Sequence, residues 1–147
     1  MATGTVTTAK VFLDTSYAIA LSSTQDSFHH QALILAEEIE AKSVKLITTQ
    51  TILLEIGNAL AGQRHRQKAI LLLEALSADN GVEIVSLTDT LYERAFQLFR
   101  NHTDKAWGIT NCISFVIMRE RKLTEALTAD HHFEQAGFRA LLRAVTP

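Results

Sequence analysis

Short apolar segments alternate along the chain with longer segments in which apolar residues recur every three or four positions. The first apolar segment is Lys10–Leu13, and a helical pattern follows it from about Ser27 to Lys42. A second strand is predicted over Val44–Thr48, and it leads into a helix that begins near Thr51 and ends near Gly62. This alternation is typical of βαβ units, which build a parallel sheet.

The same alternation continues in the middle of the chain. A helix is predicted over Gln67–Ala78, a turn over Ala78–Gly81 and a third strand over Val82–Leu87. Thr88 is expected to cap the next helix, which runs through Phe99. The expected buried side of that helix carries Tyr92, Ala95, Phe96 and Phe99.

The last third of the chain supplies a central helix and two more strands. Thr110 is expected to cap that helix, whose body from Ile113 to Met118 is apolar nearly all round. Strands are predicted over Glu125–Ala129 and, at an edge, over Phe138–Leu142. We therefore expect a three-layer α/β/α sandwich with a mainly parallel central sheet of four to five strands.

Composition narrows the class of protein. The chain has 147 residues, of which 47% are hydrophobic and 20% charged, so we expect one domain over residues 1–147, with residues 1–9 as a loose N-terminal extension. A net charge of −2 excludes a protein that coats nucleic acid through bulk positive charge. The single cysteine, Cys112, excludes an internal disulfide. Because no apolar run has bilayer length and no secretory signal is apparent, we expect a cytoplasmic protein without a membrane partner.

Acidic residues follow the strands where a parallel sheet binds its ligands. Asp14 directly follows the first strand and Asp130 the fourth, so both are expected at one edge of the sheet. Glu55 lies one turn into the helix after the second strand, between apolar neighbours. Asp104 lies in the loop 101–108, and Asn111 lies in the first turn of the central helix. We expect these side chains to converge in one cleft.

Carboxylates gathered in one cleft repel one another unless a cation neutralises them. Oxygen ligands select a hard ion, so Mg²⁺ or Mn²⁺ is expected, and such a site supports hydrolysis of a nucleic-acid backbone. Each carboxylate also has a simpler interpretation. Asp14 and Asp130 are equally suited to cap helices, and Asp104 to remain solvated in its loop.

Four segments of the chain resemble PIN-domain proteins. They are Val11–Ser16, the Thr51-x-x-x-Glu55 helix, Asp104–Phe115 and Leu127–Phe138, and together they extend the resemblance over essentially the whole chain after Lys10. Within that family the chain is similar to the VapC-like toxins of prokaryotic toxin–antitoxin pairs. The resemblance implies an Mg²⁺- or Mn²⁺-dependent endoribonuclease that cleaves RNA, is often a homodimer, and is silenced by a cognate antitoxin.

The resemblance also assigns site residues. Asp14, Glu55 and Asp130 match three acidic metal-binding positions, and Asp104 is an additional acidic position that we place with them as a catalytic and metal-binding residue. One position departs from the pattern, because the usual Thr-Asp-Cys is here Thr110-Asn111-Cys112 and the catalytic position 111 is an amide. Two explanations fit: a natural variant with weakened activity, or an inactivating substitution. The alternative function is a catalytically impaired PIN-fold module that binds RNA or a protein partner.

Other polar residues have two interpretations each. The hydroxyls of Thr15, Ser16 and Thr110 are suited to orient metal-bound water or to satisfy backbone groups, and Asn58 shares the helical stripe of Glu55. The cations suited to contact RNA or an antitoxin, or to remain solvated, are Arg64, Arg66, Lys68 and Lys105. Trp107 beside Lys105 is suited to stack an unpaired base or to pack against the central helix.

Two apolar regions bear on the oligomeric state. Apolar residues around Leu60 and over Leu71–Leu76 fit a homodimer contact as well as packing within one chain. The homodimer expectation therefore comes from the family resemblance.

Overall fold

The computed structural model describes residues 4–143, in which five strands form one parallel sheet. Each strand is short and begins at or near its predicted position. The strands are β1 (Lys10–Leu13), β2 (Lys45–Thr49), β3 (Val82–Val85), β4 (Glu125–Leu127) and β5 (Arg139–Ala140). Their order across the sheet is β3-β2-β1-β4-β5, with β5 at an edge as predicted.

Helices connect the strands and cover the sheet. They are α1 (Thr15–Ser22), α2 (His29–Lys42), α3 (Gln50–Ala59), α4 (Arg66–Ala78), α5 (Asp89–Asn101), α6 (Ile109–Glu120) and α7 (His131–Gln135). Val11, Phe12 and Leu13 are consecutive in β1 and all are buried. Because successive strand residues point to opposite faces, both faces of the sheet are covered. The predicted three-layer α/β/α sandwich is confirmed.

The strand order reverses beside β1. Phe12 in β1 lies opposite Ile47 of β2 on one side and opposite Ala126 of β4 on the other. The chain runs outward from β1 through β2 to β3 and then returns to β4, so the connections diverge between β1 and β4. Ligands of open α/β sheets bind at the carboxyl ends of strands at such a point.

Helix α1 was not predicted from the sequence. It begins directly after Asp14 and buries Tyr17, Ala18 and Ala20. The segment is only eight residues long and apolar on most sides, so it lacks the alternation of apolar and polar residues that identifies a helix. Its first turn brings Thr15 and Ser16 to the end of β1.

The predicted buried side of α5 was largely wrong. Ala95 is buried as expected, together with Leu91, but Tyr92, Phe96 and Phe99 are 49%, 37% and 43% exposed. The small Ala95 lets α5 pack closely against α6, which leaves the aromatic residues on the outer side of the helix. Thr88 caps α5 as predicted, since its hydroxyl accepts a hydrogen bond from the N–H of Leu91 at 3.1 Å.

The N-terminal cap of α6 also differs from the prediction. Gly108 is the N-cap and Thr110 lies inside the first turn, because Asn111 turns back and accepts a hydrogen bond from the N–H of Gly108 at 3.0 Å. The predicted apolar body is confirmed, since every residue from Ile113 to Met118 is buried.

Residues 4–9 are attached to the sheet, in contrast to the expected loose extension, while residues 1–3 lie outside the described range. Val6 is 2% exposed. The carboxylate of Glu125, which is also 2% exposed, accepts hydrogen bonds from the N–H groups of Thr7 and Thr8, both at 2.9 Å, and from Arg139 at 2.6 Å. A charged side chain at the start of β4 therefore holds this segment.

Helix length and hydropathy bear on membrane insertion. Among the helices described between residues 4 and 143, none is long and apolar enough to cross a bilayer.

Candidate active site

A cavity of about 410 Å³ lies at the carboxyl ends of β1 and β4. Residues from four distant segments of the chain line it: the start of α1, the middle of α3, the start of α6 and the residue before α7. The structure brings together the following residues predicted from the sequence: Asp14, Thr15, Ser16, Glu55, Thr110, Asn111 and Asp130.

Asp14 is the buried carboxylate of the cavity. Its Oδ2 accepts hydrogen bonds from the hydroxyls of Thr128 at 2.7 Å and Ser16 at 3.2 Å. Burial raises the pKa of Asp14 to about 6, the hydrogen bonds from Thr128 and the N–H of Thr15 oppose the rise, and the charge of Glu55 adds to it. Near neutral pH this site therefore holds a charge that the surrounding protein solvates poorly.

Glu55 faces Asp14 from α3. The hydroxyl of Thr15 donates to Glu55 Oε1 at 2.8 Å, so the residue that follows Asp14 also orients the second carboxylate. Glu55 reaches the cavity because α3 begins directly after β2, whose Thr48 hydroxyl donates to the carbonyl of Leu13 at 2.8 Å. This hydrogen bond joins the ends of β1 and β2, the strands that precede Asp14 and α3.

Asp130 and Asn111 form the other side of the cavity. The amide Nδ2 of Asn111 donates to Asp130 Oδ2 at 3.1 Å, while its Oδ1 accepts from the N–H of Gly108. The N–H of Gly108 is a donor, which fixes the orientation of the amide. Asp130 also caps α7, since its Oδ1 accepts from the N–H of His132 at 2.9 Å. Asp130 therefore both caps α7 and lines the cavity.

Asp104 and Asn58 are not brought to this cavity in the described part of the chain. The Asp104 side chain is 70% exposed and pairs with Lys105 at 3.0 Å, which holds the pKa of Asp104 below its ordinary value. Asn58 is exposed on α3. Of the four predicted carboxylates, the geometry joins Asp14, Glu55 and Asp130.

Two residues at this site, one behind the cavity and one lining it, were not predicted from the sequence. Thr128 lies between β4 and Asp130, and its hydroxyl both donates to Asp14 and accepts from the N–H of Asp130 at 3.0 Å. Ser114 lines the cavity from α6, one helical turn after Asn111. The three-residue spacing from Asn111 could have identified Ser114, because it places both residues on one face of the helix. The two-residue spacing from Asp130 could have identified Thr128.

Nitrogen ligands lie next to Asp130. His132 Nδ1 is 2.9 Å and His131 Nδ1 is 3.9 Å from Asp130 Oδ1, and one ligand atom from each of the three side chains lies within 4.8 Å of the others. Imidazole favours borderline ions such as zinc. The oxygen donors of Asp14, Glu55 and Asp130 are the set that fits a hard cation.

The predicted cationic residues lie outside the cavity. Arg64, Arg66 and Lys68 are exposed around the start of α4. Arg66 donates to the carbonyl of Ala61, and Lys68 approaches the carbonyl of Ser22 at the end of α1 at 3.5 Å. Arg66 and Lys68 therefore bond backbone carbonyl oxygens, and all three side chains remain exposed.

Comparison with known proteins decides the family. The PIN domain family matches residues 11–139, which run from the second residue of β1 to the first residue of β5. The chain belongs to the PIN-domain family. Within it, the chain is homologous to the VapC toxins, since it is 25% identical over 128 residues to the 23S rRNA-specific endonuclease VapC20 of Mycobacterium tuberculosis. That match covers 87% of this chain and 95% of the relative.

Two solved PIN structures share the architecture. The crystal structure of M. tuberculosis VapC20, described as a toxin that cleaves the sarcin–ricin loop, superimposes with a TM-score of 0.78 and 25% identity, over 87% of this chain and 95% of that one. VapBC2 from Rickettsia felis, solved with a DNA fragment from its promoter, matches with a TM-score of 0.64 and 11% identity, over 89% and 96% of the two chains. The second likeness concerns the fold alone.

Proposed function

We propose that this PIN-domain chain is a divalent-metal-dependent endoribonuclease that acts as the toxin of a toxin–antitoxin pair. The observation that carries the proposal is the convergence of Asp14, Glu55 and Asp130 on one cavity at the point where the strand order reverses. Homology to the VapC toxins, one of which is named a 23S rRNA-specific endonuclease, supports RNA as the substrate.

The donor set fits Mg²⁺ or Mn²⁺. Three carboxylates share the cavity, and burial raises the pKa of Asp14 to about 6, so a cation beside it would favour its ionised form. Asp14, Glu55 and Asp130 would hold the ion. When bound, a divalent cation lowers the pKa of a coordinated water and stabilises charge on a phosphodiester under attack.

The chain's own residues orient these carboxylates. Thr128 and Ser16 hold Asp14 Oδ2, and Thr15 holds Glu55 Oε1. Each hydroxyl limits the rotation of a carboxylate before substrate arrives, which lowers the entropic cost of binding. We assign Thr15, Ser16 and Thr128 as positioning residues, and Thr110 as a further hydroxyl that lines the cavity.

The partners in this proposal are RNA, an antitoxin and a second copy of the chain. Exposed apolar side chains on α3 and α4 support a protein partner, since Leu54 is 62% and Leu71 59% exposed, whereas Leu60 and Leu76 are buried. The cations Arg64, Arg66, Lys68 and Lys105 would contact RNA phosphates or acidic antitoxin groups. The cytoplasm is the proposed compartment because the RNA substrate is found there.

A catalytically impaired binding module is the second candidate, and the Asn111–Asp130 hydrogen bond favours it. The amide donates to the Asp130 oxygen that a cation would otherwise use, and its own oxygen is held by Gly108. Position 111 thus adds no charge to the site, and metal affinity is expected to be lower than with an acid there.

The test compares the wild-type chain with Asn111→Asp on single-stranded RNA and on a sarcin–ricin loop oligonucleotide, with Mn²⁺ or with EDTA. The nuclease proposal predicts Mn²⁺-dependent cleavage that N111D increases and that Glu55→Gln in the N111D background abolishes. Retained RNA binding with no cleavage by either chain at any Mn²⁺ concentration would establish the binding module instead.

A further inference from the structure

A second cavity, here called the aromatic cavity, lies between the end of α5 and the segment 102–107. Its volume is about 420 Å³, within the range of small-ligand sites. The side chains that define it are Phe96, Phe99, Arg100, His102, Lys105 and Trp107. The family resemblance assigned no catalytic or metal-binding residue to these positions. The sequence offered Lys105 as a contact for RNA or an antitoxin and Trp107 as a residue suited to stack an unpaired base or to pack against the central helix.

Two aromatic rings in this cavity face open space. Phe96 and Phe99 are 37% and 43% exposed, and their centroids lie 6.4 Å apart. Trp107 is different, because it is 5% exposed, packs edge-on against Phe115 and donates its indole N–H to Gln135 at 3.1 Å. Trp107 therefore forms a fixed wall, and the two phenylalanines supply the accessible apolar surface.

The charge around these rings is positive. Arg100 stands over the Phe96 ring with its guanidinium carbon 5.3 Å from the centroid, and Lys105 lines the same cavity. None of the residues described as lining it is acidic. Lys105 already pairs with the exposed Asp104, so Arg100 is the principal charge available to an anion. Open aromatic faces beside a cation suit a ligand that carries both a flat ring and a phosphate.

The aromatic cavity adjoins the catalytic cavity through the chain. Trp107 lines the first and Gly108 lines the second, and consecutive Cα atoms are about 3.8 Å apart. Gly108 also donates the hydrogen bond that orients Asn111. The two cavities are therefore bordered by consecutive residues of the segment 107–108.

We propose that the aromatic cavity binds one unpaired nucleobase of the RNA substrate, stacked on Phe96 and Phe99, with its phosphate beside Arg100. This inference rests on RNA being the substrate in the proposed function. A homodimer contact through the same face is the competing occupant. The concave shape and the cations favour the nucleotide, because two copies of this face would oppose like charges.

Trp107 makes the proposal directly measurable, since it is the only tryptophan in the chain. A base that stacks in the cavity should quench its fluorescence. The probe is a single-stranded RNA oligonucleotide, titrated without divalent metal so that nothing is cleaved, and compared with oligonucleotides that carry one abasic site at successive positions. We expect quenching by the intact strand, and roughly tenfold weaker binding with no quenching when one particular base is missing.

Substitutions distinguish the loss of an aromatic ring from a general effect on the fold. Phe99→Leu keeps an apolar side chain but removes the stacking face, and it should weaken binding about tenfold and remove the sensitivity to the abasic site. Leu33→Ala, at a side chain of α2 that is 43% exposed like that of Phe99, is the matched control and should bind RNA as the wild type does. Tyr92→Ala tests the competing occupant, because Tyr92 stacks on Phe96 without lining the cavity.

The outcomes are distinct. Normal RNA binding that neither an abasic site nor F99L weakens overturns the nucleobase site and leaves the proposed nuclease intact. A dimer in sedimentation that both F99L and Tyr92→Ala dissociate overturns it in favour of a homodimer face. Absence of RNA binding by the wild-type chain overturns it together with the RNA substrate of the proposed function.

Discussion

Asn111 donates a hydrogen bond to Asp130 in the cavity at the carboxyl ends of β1 and β4, with 3.1 Å between Nδ2 and Oδ2. An aspartate at position 111 would place a second carboxylate against Asp130 while still accepting the N–H of Gly108. Repulsion between those carboxylates is relieved only by a proton or a cation. The amide therefore replaces a metal-requiring contact with one that is satisfied without metal.

Asn111→Asp should lower stability without metal and raise it with metal. Loss of the hydrogen bond to a charged group and the new repulsion should cost about 2 kcal/mol in EDTA. Mn²⁺ should raise the Tm of N111D by more than that of the wild type, because binding to the folded state stabilises it. Urea denaturation in EDTA and thermal melts with Mn²⁺ measure both. Asn80→Asp, in an exposed turn, makes the same chemical change elsewhere and should show neither effect.

Asp14 should make the metal-free protein less stable as the pH rises. Its folded pKa of about 6 exceeds the unfolded value of 3.8, so its stabilising contribution is complete below pH 3.8 and is lost as the pH rises through 6. Asp14→Asn removes the buried charge, and at pH 7 without metal it should be more stable than the wild type by up to about 3 kcal/mol.

Denaturation of both chains across pH 4 to 7.5 in EDTA tests this expectation. The difference should shrink toward zero near pH 4, where Asp14 is protonated in the wild type. Asp89→Asn, which removes an exposed carboxylate, is the control. A constant difference at every pH would show that Asp14 does not carry a buried charge.

Glu125 should hold the N-terminal segment. Burial opposes its ionisation, but hydrogen bonds from Thr8, Thr7 and Arg139 outweigh burial and hold the pKa of Glu125 below its ordinary value. Its stabilising contribution is therefore present above the unfolded pKa and is lost as the pH falls through the folded pKa. Glu125→Gln places an amide N–H group against the donors of Thr7, Thr8 and Arg139, and it should lower the free energy of unfolding by about 2–4 kcal/mol.

Hydrogen exchange at residues 4–9 identifies the mechanism. Those amides should lose protection in E125Q more than the amides of β1 do. Glu37→Gln, at an exposed position on α2, is the matched control. Equal loss of protection throughout the sheet would mean that Glu125 supports the whole fold rather than this attachment.

Asp104 and Glu55 should behave differently when each loses its charge. Asp104 is exposed and paired with Lys105, so Asp104→Asn in the N111D background should change Mn²⁺ affinity and cleavage by less than twofold. Glu55→Gln removes a carboxylate from the cavity and should weaken Mn²⁺ binding more than tenfold. Calorimetric Mn²⁺ titration measures the affinity of both variants. An equal loss of Mn²⁺ affinity in the two would show that Asp104 also contributes to the metal site.

The acids that follow strands were the most predictable part of the site. The carboxyl ends of parallel strands lie at one edge of the sheet, so Asp14 after β1 and Asp130 after β4 were expected to lie close together. Asp104 follows no strand, and nothing in its loop composition indicated its distance from that edge. Helix α1 was not predicted because its short apolar segment has no polar, solvent-facing side. The exposed side of α5 was predicted to be buried because it carries three aromatic residues, which are usually found in a core. Tertiary packing, rather than local pattern, decided each of these.

The location of a bound metal tests whether Asp14, Glu55 and Asp130 form one metal site. Crystals of the N111D chain soaked in Mn²⁺ and measured at the manganese absorption edge would place the ion by its anomalous signal. We expect a peak within coordination distance of the carboxylates of Asp14, Glu55 and Asp130. A peak held by Asp104, or one held by His131 and His132 away from Asp14 and Glu55, would contradict it.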